Sequence, residues 1–109
     1  MLAMKSNFKR PFNEFVKKAH KPLQLAIEDA VEAVCEKPDI GEEKVGDLAG
    51  IWVYKFKFNR LEYLMAYRPP SEEMRRQGDD KDKVTIDFYQ IGSHENFYAD
   101  LKRYLKSEG

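Results

Sequence analysis

With a single cysteine, Cys35, among its 109 residues, the chain can form no intramolecular disulfide. Cys35 falls in an apolar-periodic stretch and is expected to be a small, half-buried hydrophobe, as suits a reducing compartment. Long apolar runs are absent as well. The opening residues Met1-Leu2-Ala3-Met4-Lys5 are too short a run for a signal peptide or a membrane span, so the expectation is a cytoplasmic protein without membrane contact. Two histidines and one cysteine at unrelated positions make no zinc site, and neither metal nor cofactor is expected. No P-loop, no glycine-rich dinucleotide fingerprint and no nucleophile elbow occurs. Net charge is lacking too: 19 Lys and Arg balance 19 Asp and Glu. A neutral chain has no monopole to steer it toward nucleic acid.

The charge is nevertheless segregated. Residues 1–23 carry six basic residues against one acidic, residues 24–50 two against eight, and residues 51–68 four against one. The two basic segments could meet as a local patch. At this length the chain is expected to form one domain, 1–109, with a core large enough to need no staple.

Hydrophobic periodicity sets the architecture. Phe12, Phe15, Val16 and Ala19 recur at helical spacing after Pro11. Pro22 suits the first position of a second helix, whose stripe is Leu23, Ile27, Ala30, Val31 and Val34, ended by Pro38 and Gly41. From Ile51 the period becomes two. Trp52, Tyr54, Phe56 and Phe58 share one face of a strand, and Tyr63, Met65 and Tyr67 one face of the next. A short link, Asn59-Arg60-Leu61, predicts a hairpin. Residues 69–83 read as a charged loop, Val84 to Ile91 as a third strand with Val84, Ile86 and Phe88 toward the core, and Ser93 as the N-cap of a last helix carrying Phe97, Leu101, Tyr104 and Leu105. A short first strand near Ser6 to Arg10 would make four. The expected fold class is α+β: an N-terminal helical hairpin packed on a small antiparallel sheet of three to four strands, with a C-terminal helix.

The alternate face of this sheet would collect Lys55, Lys57, Glu62, Leu64, Arg68, Asp87, Tyr89 and Ile91. Lys55 and Lys57, two apart, project together about 7 Å from each other. His94 would sit at the mouth of the last helix, where free N–H groups favour an anion, with Tyr98 one turn on. His20 has no such setting and reads as a structural or surface residue. Imidazole, phenol and paired ammonium groups suit cleavage of RNA by its own 2′-hydroxyl. That reaction needs a base, an acid for the leaving 5′-oxygen, and cations for the phosphorane.

The run Ile40-Gly41-Glu42-Glu43-Lys44-Val45-Gly46-Asp47-Leu48-Ala49-Gly50, then Ile51-Trp52-Val53-Tyr54-Lys55-Phe56-Lys57, resembles the RelE/ParE toxin superfamily. So does Ile91-Gly92-Ser93-His94-Glu95-Asn96-Phe97-Tyr98, the most specific part of a likeness that extends from about Phe12 to Leu105. The resemblance implies the toxin of a type II toxin–antitoxin module, neutralised by a separately encoded antitoxin and touching operator DNA only through it. In the RelE branch such toxins cut mRNA in the A site of the 70S ribosome without metal. Lys55 and Lys57 match the paired lysines of that branch's second strand. His94 and Tyr98 match the histidine and following aromatic of the related YafQ branch. Leu64 stands where RelE carries a catalytic arginine. The expected catalytic set is therefore His94, Tyr98, Lys55, Lys57 and Glu62, the last as a base, with Arg60 and Arg68 binding RNA. Two alternatives stay open: a ParE-like inhibitor of gyrase without catalysis, and an inactive antitoxin-binding module.

Overall fold

The computed structural model describes residues 5–70 and 85–108. Most of the loop read at 69–83, and Val84 as the start of a strand, lie outside them. The described elements are β1 (Lys5–Phe8), α1 (Arg10–Lys18), α2 (Lys21–Glu36), β2 (Glu42–Glu43), a 3-10 turn (Gly46–Leu48), β3 (Trp52–Phe58), β4 (Leu61–Arg68), β5 (Thr85–Ser93) and α3 (Phe97–Glu108).

Both N-terminal helices open with proline in the first turn, where the missing N–H costs no bond. Lys17 and Lys18 close α1, where cations complement the exposed carbonyls of a helix end. The chain turns at Ala19 and His20, and the Gln24 side chain donates to the Val16 carbonyl (2.7 Å), tying the two helices together. Leu23, Ile27, Ala30 and Val34 then recur on one buried face of α2.

The strands form one five-stranded sheet in the order β1-β5-β4-β3-β2. Most neighbours are antiparallel, but β1 runs parallel to β5, so the sheet is mixed and one strand larger than the sequence suggested. The pattern around Ser6 to Arg10 was too short to reveal direction. What fixes it is side-chain packing: Phe8 stacks at 5.1 Å on Phe12 of α1 and at 5.4 Å on Phe88 of β5. Asn59 and Arg60 link β3 to β4 as a two-residue turn with both φ values positive (52° and 69°), the geometry that matches strand twist.

The helices cover both faces of the sheet rather than one. On the first face, α1 and α2 meet Met65, Tyr67, Ile86, Phe88 and Ile91, with Trp52, Tyr54, Phe56, Phe58 and Tyr63 at the margin. On the second, α3 lays Phe97 and Leu101 over Ile51, Val53, Leu64, Ala66 and Tyr89. The alternation expected on that second face mixes Lys55, Lys57 and Glu62 with apolar side chains such as Leu64. Half of it is apolar, and each side chain of this size gains about 1.5–3 kcal/mol from cover, which α3 supplies.

A second departure lies in β5. Simple alternation would put Tyr89 and Ile91 on one face. The pairing instead shifts by one residue opposite Ala66 and Tyr67: Ala66 faces Gln90, whereas Tyr67 faces Phe88. This β-bulge sends Ile91 into the α1–α2 core and leaves Tyr89 in the core beneath α3. The loop after α2 is held by Tyr67, whose hydroxyl donates to the Pro38 carbonyl (2.6 Å) and accepts from the Gly41 N–H (3.0 Å). Burial pushes the Tyr67 phenol up to about 12. Cys35 is buried as expected, 3.3 Å from the Ser6 hydroxyl.

Candidate active site

The end of the sheet nearest the β3–β4 turn gathers most of the residues singled out above. Lys57 of β3 pairs with Glu62 of β4, and Lys55 with Leu64. Tyr63 pairs with Ser93 of β5, so the next residues outward, Glu62 and His94, come side by side. His94 Nε2 and Glu62 Oε1 are 2.5 Å apart. The hydrogen bond from His94 holds the Glu62 carboxyl below the usual glutamate range, and the positive charges of Lys55 and Lys57 act in the same direction. Glu62 is therefore an ionised acceptor, and the imidazole nitrogen left over for a ligand is Nδ1. Half of the His94 side chain is open to solvent.

The bulge makes this arrangement possible. Upstream of it the even-numbered residues Ile86 and Phe88 point at α1 and α2. Downstream, Gly92 and His94 stand on the face of Lys55, Lys57 and Glu62. Without the extra residue His94 would face the opposite way.

His94 is not on the last helix. The helix begins at Phe97, four residues after Ser93, because Asn96 adopts a left-handed conformation (φ 59°) that interrupts helical geometry. The one-turn relation expected between His94 and Tyr98 therefore does not apply. Tyr98, on the first turn of α3, lies edge-on to Phe97 and under the Lys44 ammonium, 5.4 Å from its ring centroid. Glu42, 2.6 Å from Lys44 Nζ, raises the Lys44 ammonium above the usual lysine value, and Tyr98 adds to the rise. Lys55 acts on Glu42 as well as on Glu62, so it stands between the two acidic side chains.

The two arginines part company. Arg60 sits exposed in the turn between β3 and β4. Arg68 is six residues along β4 from Glu62, about 20 Å at strand rise. It lies over the Tyr89 ring (5.5 Å), which Lys9 also approaches (5.7 Å). Burial raises the Tyr89 phenol, and the charge of Arg68 opposes the rise. Leu64, where the resemblance expects arginine, is wholly buried beneath α3. That position belongs to the core.

Two contributors escaped the sequence reading. Lys44 stands in a run of mixed charge, and only the pairing of β2 with β3 and the seat of α3 place it between Glu42 and Tyr98. Gln90 carried no signal at all. Its buried amide donates to the Phe97 carbonyl (2.8 Å) and fixes where α3 begins. His20 is an exposed residue before α2 with its ring 5.8 Å from Phe58. Among the described residues, no three potential metal ligands are brought together, and no helix is long and apolar enough to cross a membrane.

A family model for the ParE-like toxin of type II bacterial toxin–antitoxin systems matches residues 7–102. Among solved structures, the chain is similar to an arginine-to-alanine double mutant of the E. coli toxin RelE in the free state. The two share 16% identity over 95% of this chain and 99% of that one, with a TM-score of 0.67. It is also similar to the intact E. coli RelBE toxin–antitoxin complex (19% identity, 85% and 99% covered, TM-score 0.61). The RelBE2 toxin–antitoxin complex of Mycobacterium tuberculosis gives 19% identity, 85% and 100% covered, and a TM-score of 0.59. At such identities the likeness bears on the fold. No curated protein matches the chain.

Proposed function

We propose that this chain, which belongs to the ParE-like toxins of type II bacterial toxin–antitoxin systems, is an endoribonuclease that cuts mRNA on the ribosome and so arrests translation. The observation that carries the reading is the His94–Glu62 pair at 2.5 Å, set beside Lys55 and Lys57 on one sheet face. A gyrase-binding surface has no need of an oriented imidazole, whereas phosphodiester transfer does.

In the proposed reaction the RNA 2′-oxygen attacks the adjacent phosphorus while its proton passes to solvent. Lys55 and Lys57 bear on the phosphorane charge. Glu62, kept ionised, accepts the Nε2–H of His94 and so orients the ring. His94 Nδ1–H then gives its proton to the departing 5′-oxygen as the P–O bond breaks. The products are a 2′,3′-cyclic phosphate and a 5′-hydroxyl. Tyr98, steadied by Lys44, offers a ring on which a base can stack, and Arg60 meets the strand at the turn. A dedicated antitoxin, like the partner in the two RelBE complexes, restrains this activity.

The test is cleavage of mRNA in the A site of programmed ribosomes by the purified chain. Cuts ending in cyclic phosphate are expected, with a loss of at least about 100-fold in His94→Gln, in keeping with the usual contribution of general acid catalysis. The ParE side of the resemblance carries a second reading, inhibition of gyrase. Blocked supercoiling by both wild type and His94→Gln, with mRNA uncut, would establish that reading instead.

A further inference from the structure

Strand β1 accompanies β5 only from Lys5 to Phe8, opposite Thr85 to Phe88. The Lys9 N–H closes this ladder on the Phe88 carbonyl (2.8 Å), and the chain then leaves the sheet to start α1. From Gln90 to Ser93, β5 therefore has β4 on one side and, among the described residues, no strand on the other. A strand paired on one side alone turns the N–H and C=O groups of alternate residues outward, ready to pair with another chain.

A cleft of about 390 Å³ occupies this gap, between α1 and the start of α3. Gln90, Ile91, Gly92 and Ser93 all line it. Successive side chains of a strand point to opposite faces, so four residues in a row line one cleft along the strand's edge. Gly92 has no side chain to cover that edge, and glycine within a strand marks places where another backbone comes close. Gln90 gives a second sign. It is buried, and its Nε2 donates to the carbonyl of Phe97, which also lines the cleft. No described residue donates to its Oε1. Among the described residues no enclosed side-chain oxygen lacks a partner, so this acceptor opens on accessible space.

The ionisable lining is three carboxylates, Glu14, Glu95 and Asp100, against one ammonium, Lys18. Glu14 is paired with Arg10 and Asp100 with Arg103, in exposed contacts of the kind that contribute little. Glu95 makes no ion pair with another described residue. Acceptors thus outnumber donors. The anionic backbone of RNA is disfavoured there, whereas a peptide bearing an ammonium or guanidinium is drawn in.

We infer that the open edge of β5 is a docking site for an extended, basic segment of a partner protein. The segment continues the sheet where β1 leaves off and sets a lysine or arginine against Glu95. Main-chain bonds to β5 supply affinity, and the carboxylate selects the side chain. The inference does not depend on the nuclease reading.

The probe is a displayed library of random peptides about seven residues long, enough for one ordinary strand, selected on the full chain. Recovered peptides are expected to carry lysine or arginine and to lack internal proline, which cannot donate to a ladder. Glu95 is exposed, so Glu95→Lys keeps the fold. It should weaken a recovered peptide by about 10-fold or more, as loss of a charged hydrogen-bond partner does. Glu28→Lys, the same change on the exposed face of α2, should leave the affinity as it was. Amide exchange in the bound chain should slow between Gln90 and Ser93. Recovery of no peptide, or of peptides without basic residues, overturns the inference. So does undiminished binding to Glu95→Lys, or an equal loss in Glu28→Lys, which would mark a response to net charge alone. Slowed exchange along another edge, at Tyr54 to Phe58, overturns it too. If oligouridylate protects the same β5 amides, the cleft is an RNA seat and the inference fails.

Discussion

Leu64→Arg separates what the family resemblance implies from what the structure implies. By resemblance the change restores a missing catalytic cation and should raise cleavage. In the structure Leu64 is fully buried on the central strand β4, with Lys55 across from it on β3, Gly92 on β5, and Phe97 and Leu101 of α3 above. Removing the leucine forfeits about 2 kcal/mol of apolar burial. Placing a guanidinium there without a partner adds several kcal/mol. Lys55 directly opposite contributes a like-charge cost of up to about 1 kcal/mol. The sum, roughly 5 kcal/mol or more, rivals the whole stability of an ordinary domain. Urea unfolding followed by the fluorescence of Trp52, the single tryptophan, should show Leu64→Arg largely unfolded or with α3 released. Leu64→Met should stay within about 1.5 kcal/mol of wild type. Cleavage on programmed ribosomes should fall in the arginine variant in step with folding. An arginine variant that unfolds within about 1 kcal/mol of wild type and cuts faster would refute the assignment of this position to the core.

Other perturbations test other parts of the structure. Glu62→Gln replaces the charged acceptor that orients His94 with a neutral amide that can also turn its NH2 toward the ring, and kcat for mRNA cleavage should drop about 10–100-fold, as when an orienting partner is weakened. Because the folded state lowers the Glu62 pKa, its contribution to stability is present above the ordinary glutamate value of 4.5 and disappears as pH falls below it. The difference in urea midpoint between wild type and Glu62→Gln should narrow over that range and stay constant above it. Tyr67 behaves in the opposite sense. Its raised pKa favours the folded state below pH 10, and that advantage, roughly 2 kcal/mol, is lost as pH climbs from 10 to about 12. Tyr67→Phe should lower neutral-pH stability by about 2 kcal/mol through the unpaired Pro38 carbonyl and Gly41 N–H, and its alkaline transition should be flatter. Arg60→Gly should raise stability by about 1 kcal/mol by relieving the left-handed turn, while weakening mRNA binding.

The elements with strong periodicity were legible from residue types alone. The stripes of α1 and α2 and the aromatic face of β3 and β4 stand where spacing put them, because burial of one face dictates both the pattern and the packing. What spacing could not show was non-local. The parallel seat of β1 depends on Phe8 meeting Phe88, eighty residues away. The cover of the second sheet face by α3 depends on which half of that face is apolar. At the site, residue type marks Lys55, Lys57, Glu62 and His94 one by one, and the fold brings them together. The expected link between His94 and Tyr98 assumed an unbroken helix from Ser93, which the left-handed Asn96 prevents. Lys44 became visible only when β2 was laid beside β3 and α3 above them.

The one-residue bulge in β5 divides that strand's duties by position. Its first half answers to the helical core through Ile86 and Phe88, and its second half sets the phase in which Gly92 and His94 present themselves. An insertion or deletion between Phe88 and Gly92 would consequently act as a switch of handed parity. It would exchange the neighbours of Ile91 and His94 in one stroke, driving an imidazole toward oil and an isoleucine toward water. Substitutions there can be absorbed one side chain at a time, but changes of length cannot. Across a lineage of such toxins this short stretch should vary in letters while holding its count.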